Sequence, residues 1–208
     1  KIDVEGHEGA VFRAFAEFRL GARPLEQGES GYNPRDRGTF VHRALEALWR
    51  ELESRQRLAT LTEAQISEIV RASVRGVFPP APDGFARELI DLEQQRASRI
   101  LTEWLKVELQ RAPFRVIQRE EKRTLSLGGL EFDARLDRVD ELQDGSHVLI
   151  DYKTGAASSK SWEGERPDEP QLPVYALTQP SRSGAVAFAR VARDEPALDG
   201  VASNPRTL

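Results

Sequence analysis

The order of apolar and polar positions divides the chain into a helical first half and a strand-rich second half. Residues 11–20 place Phe12, Phe15 and Phe18 in a short run that predicts a helix, closed by Pro24 and the loop residues Gly28-Glu29-Ser30-Gly31. A stronger helix is expected over 36–57, where Phe40, Val41, Ala44, Leu45, Leu48, Trp49 and Leu52 recur at helical spacing and form a core-facing stripe. Thr62 opens a further helix to about residue 77, and Pro79, Pro80, Pro82 and Gly84 break it. Residues 85–111 then carry Phe85, Leu89, Leu92, Ile100, Leu101, Trp104, Leu105 and Leu109 as core contacts. Arg96, Arg99, Lys106 and Arg111 read as a solvated face that could also touch a phosphate backbone.

Beyond Pro113 the period changes from helical to alternating. Residues 114–127 pair through Gly128-Gly129 with 130–141, in which Leu130, Phe132, Ala134 and Leu136 alternate with Glu131, Asp133, Arg135 and Asp137. Val148, Ile150 and Tyr152 alternate with Leu149, Asp151 and Lys153 in a third strand over 147–153, which completes a meander. Residues 156–170 are polar and read as a mobile loop, 171–177 as a short helix with Pro173 in its first turn, 185–191 as a buried strand and the tail from 193 as irregular.

The turn Gln143-Asp144-Gly145-Ser146 gives the second hairpin chemical interest. A hairpin centred near Asp144 puts Asp137 and Asp151 opposite each other, where side chains lie about 5 Å apart and like charges destabilise. A bridging divalent cation removes the conflict. Two carboxylates beside the Lys153 ammonium make a hard-oxygen site suited to Mg²⁺ or Mn²⁺. On those residues alone, Asp-x-Lys on a strand face is commonly just a solvated salt pair. His42, alone at the edge of its helix's apolar stripe, reads first as a packed or capping histidine. Gly38, one turn earlier, leaves room for a backbone or a phosphate to approach.

Composition narrows the setting. The 208 residues contain no cysteine, which excludes disulfides, zinc–thiolate sites and iron–sulfur clusters for this chain and accords with a cytoplasmic setting. No apolar run approaches the roughly 20 residues of a membrane-spanning helix. The net charge of −4 argues against a generic nucleic-acid binder, but the charge is unevenly spread. Five basic against eleven acidic residues between 131 and 170 concentrate the acidity around the proposed metal site. The chain begins at Lys1 and has no methionine, so it is read as a piece of a longer protein.

In order, the segments Gly38-x-x-x-His42, Leu136-Asp137-Arg138-Val139-Asp140, Asp151-Tyr152-Lys153-Thr154-Gly155 and Gln171-x-x-x-Tyr175 closely resemble the RecB-type nuclease family of the PD-(D/E)xK superfamily, from about Phe12 to Val191. The resemblance implies a restriction-endonuclease-like α/β core. Its central mixed sheet, an antiparallel meander plus a further strand, would be flanked by helices and preceded by a helical portion. It further implies one nuclease domain over 1–208, with a mainly helical part over 1–112, a catalytic core over 113–192 and a tail over 193–208. By the same resemblance His42, Asp137 and Asp151 ligate the metal with the Tyr152 carbonyl, Lys153 is the catalytic lysine, and Gln171 and Tyr175 support the substrate phosphate. Glu120 or Glu121 is a further acidic member. Some relatives hold an iron–sulfur cluster through cysteines absent here, so none is expected.

The implied activity is a Mg²⁺- or Mn²⁺-dependent deoxyribonuclease, an exonuclease of DNA repair or recombination, with helicase-like domains or subunits of a parent protein as partners. A catalytically silent module that binds DNA or protein is the alternative, and a hydrolase of another phosphoester a third reading.

Overall fold

The computed structural model describes residues 31–80, 84–127, 129–163, 169–178, 183–204 and 207. The chain divides into two compact units, Lys1–Asn33 and Pro34–Leu208, and every described helix and strand lies in the second. The helix expected over 11–20 lies outside the described residues.

Helix α1 runs over Pro34–Leu52 and buries Val41, Ala44, Leu45, Leu48, Trp49 and Leu52, the stripe read from its periodicity. It stops five residues short of the expected end. Glu53 turns into the left-handed region at φ 59°, and the Ser54 side chain accepts the Arg57 N–H to start a separate short helix α2, Arg55–Thr60. A serine that can cap competes with continuation of the helix it interrupts. The released Glu53 carbonyl accepts Val116 N–H at 2.8 Å, which ties the end of α1 to the first strand. Helix α3, Glu63–Arg75, begins with a capping box between Thr62 and Gln65. Helix α4 spans Phe85–Gln110.

Strands β1 (Phe114–Leu127), β2 (Leu130–Leu142) and β3 (His147–Lys153) form the antiparallel meander. After a 3₁₀ turn over Ser159–Trp162, helix α5 (Gln171–Thr178) leads to β4 (Ser183–Arg190), which pairs parallel to β3. The tail departs from expectation. Ala197–Ala202 form a fifth strand, β5, antiparallel to β4, and the sheet order is β1-β2-β3-β4-β5. Its Ala-Leu-Asp-Gly-Val-Ala sequence does not alternate. It becomes a strand because β4 offers an open edge, and Gly200 lets it come close: a Cβ there would lie 2.1 Å from the Val186 carbonyl oxygen.

Alternation along β3 sends its side chains to two cores. Val148, Ile150 and Tyr152 pack with α1, α3 and α4, whereas Leu149 packs with Leu172 and Tyr175 of α5 and with Phe188. The first core contains a buried ionic network. Arg138 Nη1 donates to Glu108 Oε1 at 2.6 Å and Nε to Asp140 Oδ1 at 2.6 Å, while Arg111 Nη1 reaches Glu108 Oε2 at 2.7 Å and Asp140 Oδ2 at 2.8 Å. The Arg138 guanidinium lies 3.9 Å from the Trp49 ring centroid. Arg111, expected on a solvated face, is therefore only 5% exposed. The last turn of α4 passes against the sheet, and its helical neighbour Glu108 supplies the charge that lets an arginine go inside.

Candidate active site and metal centre

Register places the acidic groups. β2 and β3 pair through Val139↔Leu149 to Arg138↔Ile150, where the ladder ends; Asp137 and Asp151 are the next residues on the two strands, as a hairpin centred on Asp144 requires. On the other side of β2 the pairs Arg119↔Arg138 and Glu121↔Leu136 bracket Glu120 and Asp137. Asp137 thus sits between an acidic residue on each neighbouring strand. One of its oxygens, Oδ2, accepts the backbone N–H of Tyr152 at 2.7 Å.

α1 closes the site from above the sheet. His42 Nδ1 lies 3.4 Å from Asp137 Oδ2, and His42, Glu120 and Asp137 each offer a ligand atom within 4.8 Å of the others. Glu120, one of the two acidic candidates on β1, is brought into the cluster. Its backbone is left-handed at φ 50°, an uncommon state for a residue with a side chain, and it re-aims the carboxylate within an otherwise extended strand. Arg135 forms an ion pair with Glu120 across the hairpin. A cleft of about 420 Å³ exposes this group and is lined also by Arg35, Gly38, Arg43 and Thr154. A Cβ on Gly38 would come 3.2 Å from Thr154 Oγ1, so the glycine permits the close approach of α1 to the end of β3.

The site is crowded with negative charge. Burial and the neighbouring Asp137 push the Glu120 carboxyl up, against Arg135 and His42. Burial and Asp137 likewise push the Asp151 carboxyl up, against Lys153. Burial opposes protonation of His42, but its hydrogen bond to Asp137 and the charges of Asp137, Glu120 and Asp151 outweigh it and raise the imidazole.

Asp151 and Lys153 project to the α5 side of the sheet. Lys153 Nζ lies 3.0 Å from Asp151 Oδ2 and 3.0 Å from Glu169 Oε2. These three line a second recess of about 260 Å³ together with Gln171 and Phe188. Burial would lower the lysine, but Glu169 and Asp151 prevail and raise it. Gln171 Nε2 donates to the Arg135 carbonyl at 2.5 Å and so joins α5 to β2. Tyr175 is fully buried among Leu136, Leu149, Leu172 and Phe188, beneath the site rather than at its surface. The Tyr152 side chain points to the opposite core, where its hydroxyl accepts from Arg138 Nη1 at 3.0 Å.

The donor set suits a divalent cation. One imidazole and two carboxylates converge, each carboxyl raised or hydrogen-bonded by its neighbours, and a cation would relieve the repulsion. His42, Glu120 and Asp137 would hold it, with Asp151 adjoining. Glu169 escapes a reading of the sequence, since an acid beside Pro170 looks like loop polarity. Its only signal is its place just ahead of Gln171.

A model of the PD-(D/E)XK nuclease superfamily matches residues 8–192. No match was found among curated proteins. A solved structure described as "Crystal structure of SSO0001" aligns at 14% identity and a TM-score of 0.30, covering 94% of this chain and 77% of that one. Among the described residues no helix is long and apolar enough to cross a membrane. The mixed five-stranded sheet flanked by helices is a restriction-endonuclease-like α/β fold, and the chain belongs to the PD-(D/E)XK nuclease superfamily.

Proposed function

We propose that this chain is a Mg²⁺- or Mn²⁺-dependent deoxyribonuclease of the RecB type, an exonuclease acting in cytoplasmic DNA repair or recombination beside helicase-like domains or subunits of a parent protein. The observation that carries this reading is the convergence of His42, Glu120 and Asp137 within 4.8 Å, one strand away from the Asp151–Lys153 pair. A divalent cation held there supplies charge neutralisation at the phosphate and a water acidic enough to attack near neutral pH.

The protein's own groups divide the remaining work. Lys153 is held between two carboxylates with its pKa raised, so it stays an ammonium and offers positive charge to the phosphate rather than abstracting a proton. Asp137 is fixed by a backbone N–H and does not depend on a free rotamer for its aim. Gln171 contributes by holding β2 against α5, and Tyr175 by anchoring that helix in the core with Leu136, Leu149 and Phe188.

The test is hydrolysis of linear and circular DNA by the purified chain with Mg²⁺, with Mn²⁺ and with EDTA. Cleavage of linear DNA alone, lost in EDTA and in Asp137→Ala, is expected. Full activity of Asp137→Ala or Lys153→Ala would overturn the reading, and metal-independent binding without cleavage would favour a silent binding module.

A further inference from the structure

The surface does not end at the metal cleft. Pro34 and Thr154, at its rim, also border a neighbouring recess of about 240 Å³ whose wall contains Arg37, Arg96 and Arg193 and, among the described residues, no carboxylate. Arg96 and Arg193 continue into a third recess along α4, joined there by Arg99. Among the described residues the one acid on that last stretch, Glu103, is engaged by Lys106 Nζ at 2.7 Å.

A buried carboxylate organises this run of cations. Glu93 is 7% exposed and accepts from Arg37 Nε at 3.0 Å and Nη2 at 2.5 Å, with Arg96 Nη1 3.6 Å away. It offsets one positive charge while fixing two guanidinium groups at the surface. Arg193 is exposed and forms no ion pair among the described residues. Among the described residues that line this recess the charged groups are all arginines, on a chain whose net charge is −4. Guanidinium groups held in place match phosphate oxygens in charge and in donor geometry. Ile100 and Val191 add apolar wall beside them.

We infer that a DNA strand engaged at the metal cleft lays its phosphate backbone across Arg37, Arg96 and Arg193, a binding track separate from the catalytic groups. The inference rests on the nuclease reading for the identity of its ligand, while its test does not require cleavage. A fluorescein-labelled single-stranded oligonucleotide is titrated with the full chain in EDTA at several salt concentrations, and anisotropy gives the affinity. For the double variant Arg96→Ala/Arg193→Ala, binding about tenfold weaker is expected, with a salt dependence shallower by about 1.4, at about 0.7 per phosphate contact on a single strand. Arg57→Ala, an exposed arginine of α2 that lines none of these recesses and pairs with Glu51, should change neither.

An unchanged affinity and slope in the double variant overturns the track, as does equal loss in Arg57→Ala or failure of the unaltered chain to bind. The two readings fail separately. A chain that binds through these arginines yet cuts no DNA with Mg²⁺ or Mn²⁺ refutes the nuclease assignment alone. One that cuts while the double variant binds normally refutes only the track.

Discussion

The backbone N–H of Tyr152 donates to Asp137 Oδ2 at 2.7 Å. A main-chain group therefore aims the central carboxylate, while the Tyr152 ring packs edge-on against His42 with its centroid 5.9 Å away and its hydroxyl faces Arg138. Tyr152→Phe should keep nuclease activity within about twofold and lose about 1 kcal/mol of stability, the net worth of one hydrogen bond to Arg138. Urea unfolding alongside a DNA cleavage assay measures both.

Lys153 is expected to behave in the opposite way. It is partly exposed and its ammonium stands beside Asp151 and Glu169. Lys153→Met should leave the circular dichroism spectrum unchanged and cut the rate of phosphodiester cleavage by about 100-fold or more, the usual loss when one group stabilising transition-state charge is removed. Single-turnover kinetics at saturating protein would show the loss in the chemical step rather than in binding.

The buried network sets the acid limit of stability. Burial pushes Glu108 up, but the charges of Arg138 and Arg111 outweigh it and hold its carboxyl below the usual range. Because the folded value is the lower one, Glu108 stabilises the fold above the ordinary carboxylate range, and that contribution disappears as pH falls through the folded value. Glu108→Gln should cost about 3–5 kcal/mol at neutral pH by leaving buried guanidinium groups short of charge, and should flatten the acid side of the stability curve. Thermal melts from neutral to acid pH test the sign: a variant that keeps the original acid slope would contradict it.

β5 offers a separate handle on the fold. Gly200 pairs with Ala187, and a Cβ at that position would lie 2.6 Å from the Ala187 Cα as well as against the Val186 carbonyl. Gly200→Ala should destabilise by about 1–3 kcal/mol, as overpacking does. Hydrogen exchange should show the loss of protection confined first to the β4–β5 ladder.

Much of this arrangement was legible in the sequence because its signals were local. The alternation on either side of Asp144 gave β2, β3 and the Asp137–Asp151 register, and the helical stripe of Phe40 to Leu52 gave α1. What escaped depends on partners distant in the chain. Ser54 ends α1 because a cap and a carbonyl acceptor in β1 are available together. β5 has no pattern of its own and exists only through the edge of β4. Arg111 looked solvated because Glu108 beside it reads as an ordinary surface helix pair, while its second partner, Asp140, lies 29 residues away. Among the site residues, the motif order brought His42 and Asp137 forward, whereas placing Glu120 needed the left-handed turn of its backbone. Glu169 had no signal at all beyond its neighbour Gln171.

The β1–β2 hairpin continues past the point where β2 leaves β3, out to Leu127↔Leu130, so the sheet forks beside Asp137. Up to a fork, a ladder of backbone hydrogen bonds dictates the distance between strands; beyond it, only the bridges that happen to cross the gap do. Here the Tyr152 N–H to Asp137 crosses it, and the Gln171 amide ties the Arg135 carbonyl beside it to α5. Together they work as a caliper whose opening sets how far the Glu120–Asp137 wall stands from the Asp151–Lys153 wall. A glutamine bonded to a backbone carbonyl would in that way help set the gap between those side chains.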